Sequence, residues 1–202
     1  MNDLKLGNIQ MARPLAFDET QALRAAANVF RRFGYGGVSI KRLETETGLS
    51  SGSLYNSFGD KPEIFTRALR HYNDTVVERR IQAHLDQGAP VDGLIALFES
   101  LLHEPGGTDF GCLLTNSAVE FAGADTFAAT EIRRGFDRFL DAFRDCLMRH
   151  PGADPSQTRQ GALRLLAFYQ GLLVLIRHGH DKAALRSIIR TEIETIAGER
   201  HD

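Results

Sequence analysis

From Asp18 onward the apolar residues recur at the spacing of a single helix face. Ala22, Ala25, Ala26, Val29, Phe30 and Phe33 stand at i, i+3, i+4, i+7, i+8 and i+11, which is the period of an amphipathic helix and not the alternation of a strand. Asp18, with Gln21 three residues on, predicts the N-cap, and Gly34-Tyr-Gly-Gly37 predicts the stop. Ser39 then caps a short second helix in which Ile40, Leu43 and Thr47 share a face before Gly48 ends it. Ser50 caps a third, with Leu54 and Phe58 turned inward at i and i+4 and Gly59 closing it. Asp60-Lys-Pro-Glu63 is a fourth start signal: an acidic cap, a proline where its missing N–H costs nothing, and a glutamate placed to reach back.

The fourth helix is expected from Lys61 to about Gln87, linking front to back, with Gly88-Ala-Pro90 breaking it. Behind the break the pattern predicts helices near 91–104, 111–123, 125–149, 156–178 and 181–198. Glu104-Pro-Gly-Gly107, Ala122-Gly-Ala124, His150-Pro-Gly-Ala-Asp-Pro155 and His178-Gly-His180 separate them. Residues 1–13 read as a mobile arm. Strand patterns are nearly absent, so the fold class is all-α. Its first three helices form a unit of ~45 residues, small enough to need the fourth for support.

Composition changes this picture little. An apolar share of 43% is ample for a core. No apolar run approaches the ~20 residues of a membrane helix, and MNDLKLGNIQMARP lacks the apolar core of a secretory signal, so a cytoplasmic protein with no membrane partner is expected. Cys112 and Cys146 are far apart in apolar contexts, which fits a reducing compartment better than a disulfide framework. The net charge of −2 hides an asymmetry. Residues 1–70 carry ten Lys and Arg against seven Asp and Glu, and residues 71–202 carry fourteen against nineteen, so an anionic partner is favoured at the front.

Two short helices joined by a glycine-containing turn and packed on a first helix make a helix-turn-helix, whose second member enters the major groove. With Leu54 and Phe58 inside, that helix presents Ser51, Ser53, Tyr55, Asn56 and Ser57. Gly52 removes bulk from the first turn, where free backbone N–H groups suit an anion. Asn56 can read adenine through a bidentate pair, the serines can meet several bases, and Tyr55 suits a phosphate or a thymine methyl. Ser39 and Lys61 would clamp phosphates at the flanks, with Lys41 and Arg42 in reserve. The plainer readings are capping for Ser39, Gly48 and Ser50 and a solvated face for Ser53, Asn56 and Ser57.

The run from Ala27 to Lys61, with Phe30, Gly34, Gly37, Ser39, Thr47-Gly-Leu-Ser50, Gly52-Ser-Leu-Tyr55, Phe58 and Lys61 in that order, resembles the DNA-binding domain of TetR-family transcriptional regulators. The resemblance implies an N-terminal three-helix helix-turn-helix domain at 14–60 and a C-terminal helical ligand-binding and dimerisation domain at 61–202. It also implies a homodimer, usually a repressor, on a palindromic double-stranded DNA operator, released by a small-molecule effector. Ser39, Ser50, Ser51, Ser53, Tyr55, Asn56 and Lys61 fall at positions that contact DNA in the family. Ser51 stands where Lys or Arg is common and Ser57 where His is common, so the loss of one or two phosphate contacts is expected and the operator preference is left open.

Phe110-Gly-Cys-Leu-Leu-Thr-Asn-Ser-Ala-Val-Glu-Phe-Ala122 is similar to a Gly-Cys-x-x-x-Asn-x-Ala-x-Glu type signature of one subgroup of these regulators, in some of which the cysteine senses electrophiles or oxidants. A helix N-terminus favours a thiolate at Cys112; the other reading is a small buried hydrophobe. Cys146 shares a face with Phe139, Ala142, Phe143 and Leu147 and reads as core. For an effector pocket the candidate walls are Phe98, Leu102, Cys112, Leu113, Phe121, Phe136, Phe139, Phe143, Phe168 and Tyr169. Asn116 and Glu120, at i and i+4, are the polar candidates, or else ties between helices. Leu163, Leu166, Tyr169, Gln170 and Leu173, then Leu185, Ile188, Ile189 and Ile196, are apolar over a wide face, as a four-helix dimer interface would require.

An enzyme is the competing class. The chain has no Gly-x-Gly-x-x-Gly, P-loop, His-Glu-x-x-His or Gly-x-Ser-x-Gly, so no catalytic residue, metal or cofactor is expected. The remaining alternatives are a helical protein–protein adaptor that binds no DNA and a thiol redox sensor acting through Cys112.

Overall fold

Where the sequence supplies a cap, a helix starts. The computed structural model describes residues 17–86, 88–103, 110–122 and 126–198. The expected arm at 1–13, residues 14–16 of the front domain, and the breaks at 104–107 and 123–124 lie outside them. Asp18 accepts the Gln21 N–H at 3.1 Å and opens α1, Glu19–Phe33, which buries Ala22, Ala26, Ala27, Val29 and Phe30. Ser39 opens α2, Ile40–Thr47, and Ser50 opens α3, Ser51–Phe58. Between them Gly48 sits at φ 72° with its N–H on the Glu44 carbonyl. A side chain in that left-handed conformation costs about 1 kcal/mol, and the conformation turns the chain sharply enough to bring α3 against α2. Burying Leu54 and Phe58 contributes roughly 1.5–3 kcal/mol each and fixes which face of α3 points away.

Asp60 and Glu63 form the expected reciprocal cap, at 3.0 and 2.9 Å, at the head of α4, Lys61–Tyr72. The single long helix expected to Gln87 is α4, one π turn at Asn73–Val77, and α5, Glu78–Leu85. The wider turn has a cause that lies elsewhere in the chain. Asn73 is wholly buried and donates to the Glu131 carbonyl at 2.9 Å, while Arg138 donates to the Asn73 carbonyl at 2.6 Å. Arg70 pairs with Glu131, and Arg134 and Arg138 both pair with Asp74.

The remaining helices are α6, Pro90–Ser100, extended by a 3₁₀ turn at Leu101–His103; α7, Leu113–Glu120; α8, Ala129–Met148; α9, Pro155–Arg177; and α10, Lys182–Ala197. Two starts are later than the pattern predicts by two residues or more. α7 begins at 113 rather than 111 because Gly111 has φ +70° and Cys112 is extended, and α8 begins at 129 rather than 125. α1 packs on α4, α8 along α9, and α10 on α6 and α9, around one continuous apolar core. The described residues are all-helical with the helix-turn-helix at the N-terminal end, and no described helix is long and apolar enough to cross a membrane.

Candidate nucleic-acid interface and domain junction

The outward face of α3 is as its sequence requires. Leu54 and Phe58 are buried, Gly52, Tyr55 and Asn56 are exposed, and Ser51, Ser53 and Ser57 are half-buried. Tyr55 is a large ring left 48% in solvent, an expense that a contact surface explains better than a core. Ser39 and Lys41 are exposed on α2 beside it.

Several of these polar groups already have partners. The Ser39 hydroxyl accepts the Arg42 N–H, and the Ser50 hydroxyl accepts the Ser53 N–H and shares a 3.0 Å hydrogen bond with the Ser53 hydroxyl. The expectation of free N–H groups in the first turn of α3 needs correction: the Ser51 N–H donates to the Glu44 carboxylate at 2.6 Å. A carboxylate there lowers the attraction of that helix end for phosphate. Sequence reasoning assigned Glu44 nothing, although a glutamate seven residues ahead of Ser51 and across a tight turn was a usable signal.

Lys61 lies with its ammonium 4.3 Å from the centroid of the Tyr35 ring, and Arg42 stands 3.8 Å over Phe33. Tyr35 is part of an aromatic cluster with Phe30, Phe65, Phe121 and Phe127, which joins the front helices to residues around the end of α7. Burial, then the charges of Asp60 and Glu120, raise the Tyr35 phenol above its ordinary pKa of 10.0. It stays a neutral ring under Lys61.

The effector candidates separate into two groups. Phe98, Leu102, Leu113, Phe139, Phe143 and Tyr169 are buried, with Phe98 packed on Phe143, Phe168 and Tyr169 and Phe139 on Tyr169. Phe136 and Phe168 pack partly buried against the same core. These rings support one another within the core.

Cys112, Asn116 and Glu120 instead line a cleft of about 460 Å³ between the end of α1, α7 and the end of α9. Arg31, Arg32, Phe33, Gly34, Thr115, Val119, Leu173, Val174 and Arg177 share it. Within it, Asn116 donates to the Arg31 carbonyl at 3.1 Å and to the Phe110 carbonyl at 2.9 Å. Glu120 accepts the N–H groups of both Tyr35 and Gly36 at 2.8 Å. Gly34, at φ +70°, lets the carboxylate come this close, since a β-carbon there would stand 3.0 Å from Glu120 Oε2. Cys112 is the N-cap residue of α7, and its sulfur accepts the buried Tyr72 hydroxyl at 3.5 Å. Cys146 is core: burial raises its thiol pKa, against the lowering pull of Arg149, and the thiol donates to the Pro90 carbonyl.

The dimer candidates also divide. Leu173, Leu185 and Ile189 are buried in the protomer's own core, and Gln170 accepts the Thr115 hydroxyl at 2.6 Å, so none of these four faces a partner freely. Leu166 and Ile196 are half-buried against the core. Leu163, Val174 and Ile188 remain exposed; the first and last are among the dimer candidates, and Val174 lines the cleft. No cluster of three or more metal-ligating side chains occurs among the described residues.

The family described as bacterial regulatory proteins, tetR family, matches residues 22–68, from α1 into α4. The uncharacterized HTH-type transcriptional regulator YezE of Bacillus subtilis is 29% identical over 145 residues, covering 69% of this chain and 73% of its own. The HTH-type transcriptional repressor DhaR of a Mycobacterium species is 23% identical over 176 residues, covering 83% and 86%. Among solved structures, a cysteine mutant of the TetR family regulator CifR, complexed with a 26-bp double-strand operator DNA, superposes with a TM-score of 0.75 at 23% identity across 91% of this chain and 98% of that one. Reduced NemR of E. coli superposes with a TM-score of 0.73 at 17% identity, across 88% and 96%. At such identities the structural likeness is one of fold.

Proposed function

We propose that the protein is a TetR-family transcriptional regulator and not an enzyme: a cytoplasmic homodimeric repressor that leaves its operator when a small molecule occupies the cleft between α1, α7 and α9. The observation that carries the reading is the outward face of α3: an exposed Tyr55 and Asn56 backed by a buried Leu54 and Phe58. Ser39, Lys41, Ser51, Gly52, Tyr55, Asn56, Ser57 and Lys61 are the proposed contacts, with Ser50 and Ser53 bracing the helix start. Two copies of α3 would enter successive major grooves about 34–36 Å apart on a palindrome.

The front helices, to residue 60, are the DNA-binding unit in this reading, and the helices from α4 onward regulate it and pair the two subunits. Exposed Leu163 and Ile188 on α9 and α10 supply the pairing face. Asn116 and Glu120 hold the end of α1 and the turn before α2, so a ligand in the cleft acts on the reading head directly. It weakens operator binding only as far as it binds the released arrangement more tightly.

Titrating the protein against the DNA upstream of its own coding sequence in a gel-shift assay tests this. Binding whose affinity falls steeply with salt is expected. Salt-insensitive binding, or none, would favour the adaptor.

A second reading rests on Cys112, whose place on the cleft wall at the start of α7 allows an electrophile in the cleft to add to its sulfur. Cys112→Ser should then abolish release by N-ethylmaleimide while leaving Cys146 unmodified in both proteins; an unchanged response in the variant removes this reading.

A further inference from the structure

The cleft at the domain junction has a chemical bias. Three guanidinium side chains, Arg31, Arg32 and Arg177, line it against one carboxylate, Glu120, while Phe33, Val119, Leu173 and Val174 give it apolar walls. Arg177 spends its donor on a neutral group, the Asn116 carbonyl oxygen, and Arg32 rests on the rings of Phe33 and Phe110 at 4.9 and 5.0 Å. Neither pairs with a carboxylate among the described residues. A second feature lies beneath the floor. Thr115 gives its hydroxyl proton to Gln170, whose amide nitrogen is buried without a hydrogen-bond partner among the described residues. Gln170 lies three, four and seven residues before Leu173, Val174 and Arg177, on the same side of α9.

We infer that the cleft binds a small amphipathic anion, a carboxylate on an apolar body, with its charged head on Arg177 and Arg32 and its body along Phe33, Leu173 and Val174. This rests on the ligand-released reading above and names the chemistry of that site. Guanidinium forks match a planar carboxylate in a way that Asn116 does not, so the anion draws Arg177 away from Asn116. Asn116 then loses the group that orients it toward the Arg31 carbonyl at the end of α1. The same anion stands in one cleft with the Glu120 carboxylate, and like-charge repulsion weakens the hold of Glu120 on the Tyr35 and Gly36 N–H groups. Both ties between the cleft and the reading head are loosened by charge, which a neutral ligand of the same shape does not do.

The test uses the full chain with decanoate and 4-phenylbutyrate as probes and decanol and 4-phenylbutanol as their neutral counterparts. Affinities are read by calorimetry and operator occupancy by gel shift. Each acid is expected to bind about tenfold or more tightly than its alcohol, as charge-assisted hydrogen bonds imply. R177Q and R32Q, each checked for folding by thermal melting, should reduce that preference. E120Q should bind the acids a few-fold more tightly, yet its operator complex should respond to them less.

Equal affinity for acid and alcohol, no binding of either acid at millimolar concentration, or an acid preference untouched in both arginine variants overturns the inference. An E120Q complex that responds as fully as the parent overturns the coupling through Glu120. If the acids are preferred but no upstream DNA is bound, the cleft chemistry stands and the regulatory reading fails. If DNA is bound without any acid preference, the reverse holds.

Discussion

The Lys61 ammonium sits 4.3 Å from the centre of the Tyr35 ring, and the Tyr35 backbone N–H is held by Glu120. The cation at the head of α4, a proposed phosphate contact, is thereby carried on a ring whose backbone is held from α7. A cation–π contact at a partly exposed site is worth about 0.5–1 kcal/mol. Lys61→Ala is expected to weaken operator binding and to lower the slope of log affinity against log salt by about one counterion. Tyr35→Leu keeps the charge, so it should weaken binding less and leave that slope unchanged. A salt titration of both variants distinguishes the two effects.

Asn56 is exposed on α3, so its replacement should not disturb folding. Asn56→Ala is expected to cost about 1–3 kcal/mol on the preferred operator and to relax preference at one base-pair position, as loss of a bidentate base contact does. Selection of bound sequences from a random pool by parent and variant reads this out. Identical preferences would move the base contacts elsewhere on α3.

Leu163 is 60% exposed on α9 and Ile188 42% exposed on α10, both apolar side chains with little to gain from water. Introducing a charge, as in Leu163→Asp or Ile188→Asp, should produce a folded monomer with greatly reduced operator affinity. Sedimentation of the parent and both variants gives the mass. Parent and variants sedimenting alike would place the pairing face elsewhere.

His71 and His84 both have pKa values lowered from the usual 6.5, chiefly by burial. For His71, Asp74 opposes the shift and Arg24 adds to it, and for His84 Arg80 adds to it. A depressed folded pKa means that the unfolded chain takes up protons first as the pH falls. The stability these two groups confer is therefore fully present above pH 6.5 and is lost as the pH drops through their folded values. Thermal melting between pH 7.5 and 5 should show the midpoint falling, and a double His71→Gln, His84→Gln variant should show a flatter decline.

The front of the molecule was legible because its signals are local. Asp18, Ser39, Ser50 and the Asp60–Glu63 pair each cap a helix through a hydrogen bond spanning three residues, and Gly48 marks its own turn by being able to occupy it. Leu54 and Phe58, four apart, decide by themselves which face of α3 is left for a partner. Other features depend on residues far away in the chain. The π turn at Asn73 answers to Glu131 and Arg138, and the burial of Phe98 and Tyr169 as core, where a pocket wall was expected, follows from rings contributed by α6, α8 and α9.

Sequence alone determined most of the helices, the turn that joins two of them as a helix-turn-helix, and the polar face that α3 presents, because a helix period and a cap are properties of residues within a few positions of one another. Only the tertiary structure decided that Leu185 and Ile189 belong to the protomer's own core, that Glu44 occupies the head of α3, and that Asn116 and Glu120 reach the backbone at Arg31, Tyr35 and Gly36. A carboxylate separated by 85 residues from the N–H it accepts leaves no periodic trace along the chain. Its partner is chosen by how α7 packs beside α1, and that packing is the sum of many apolar contacts rather than of any motif.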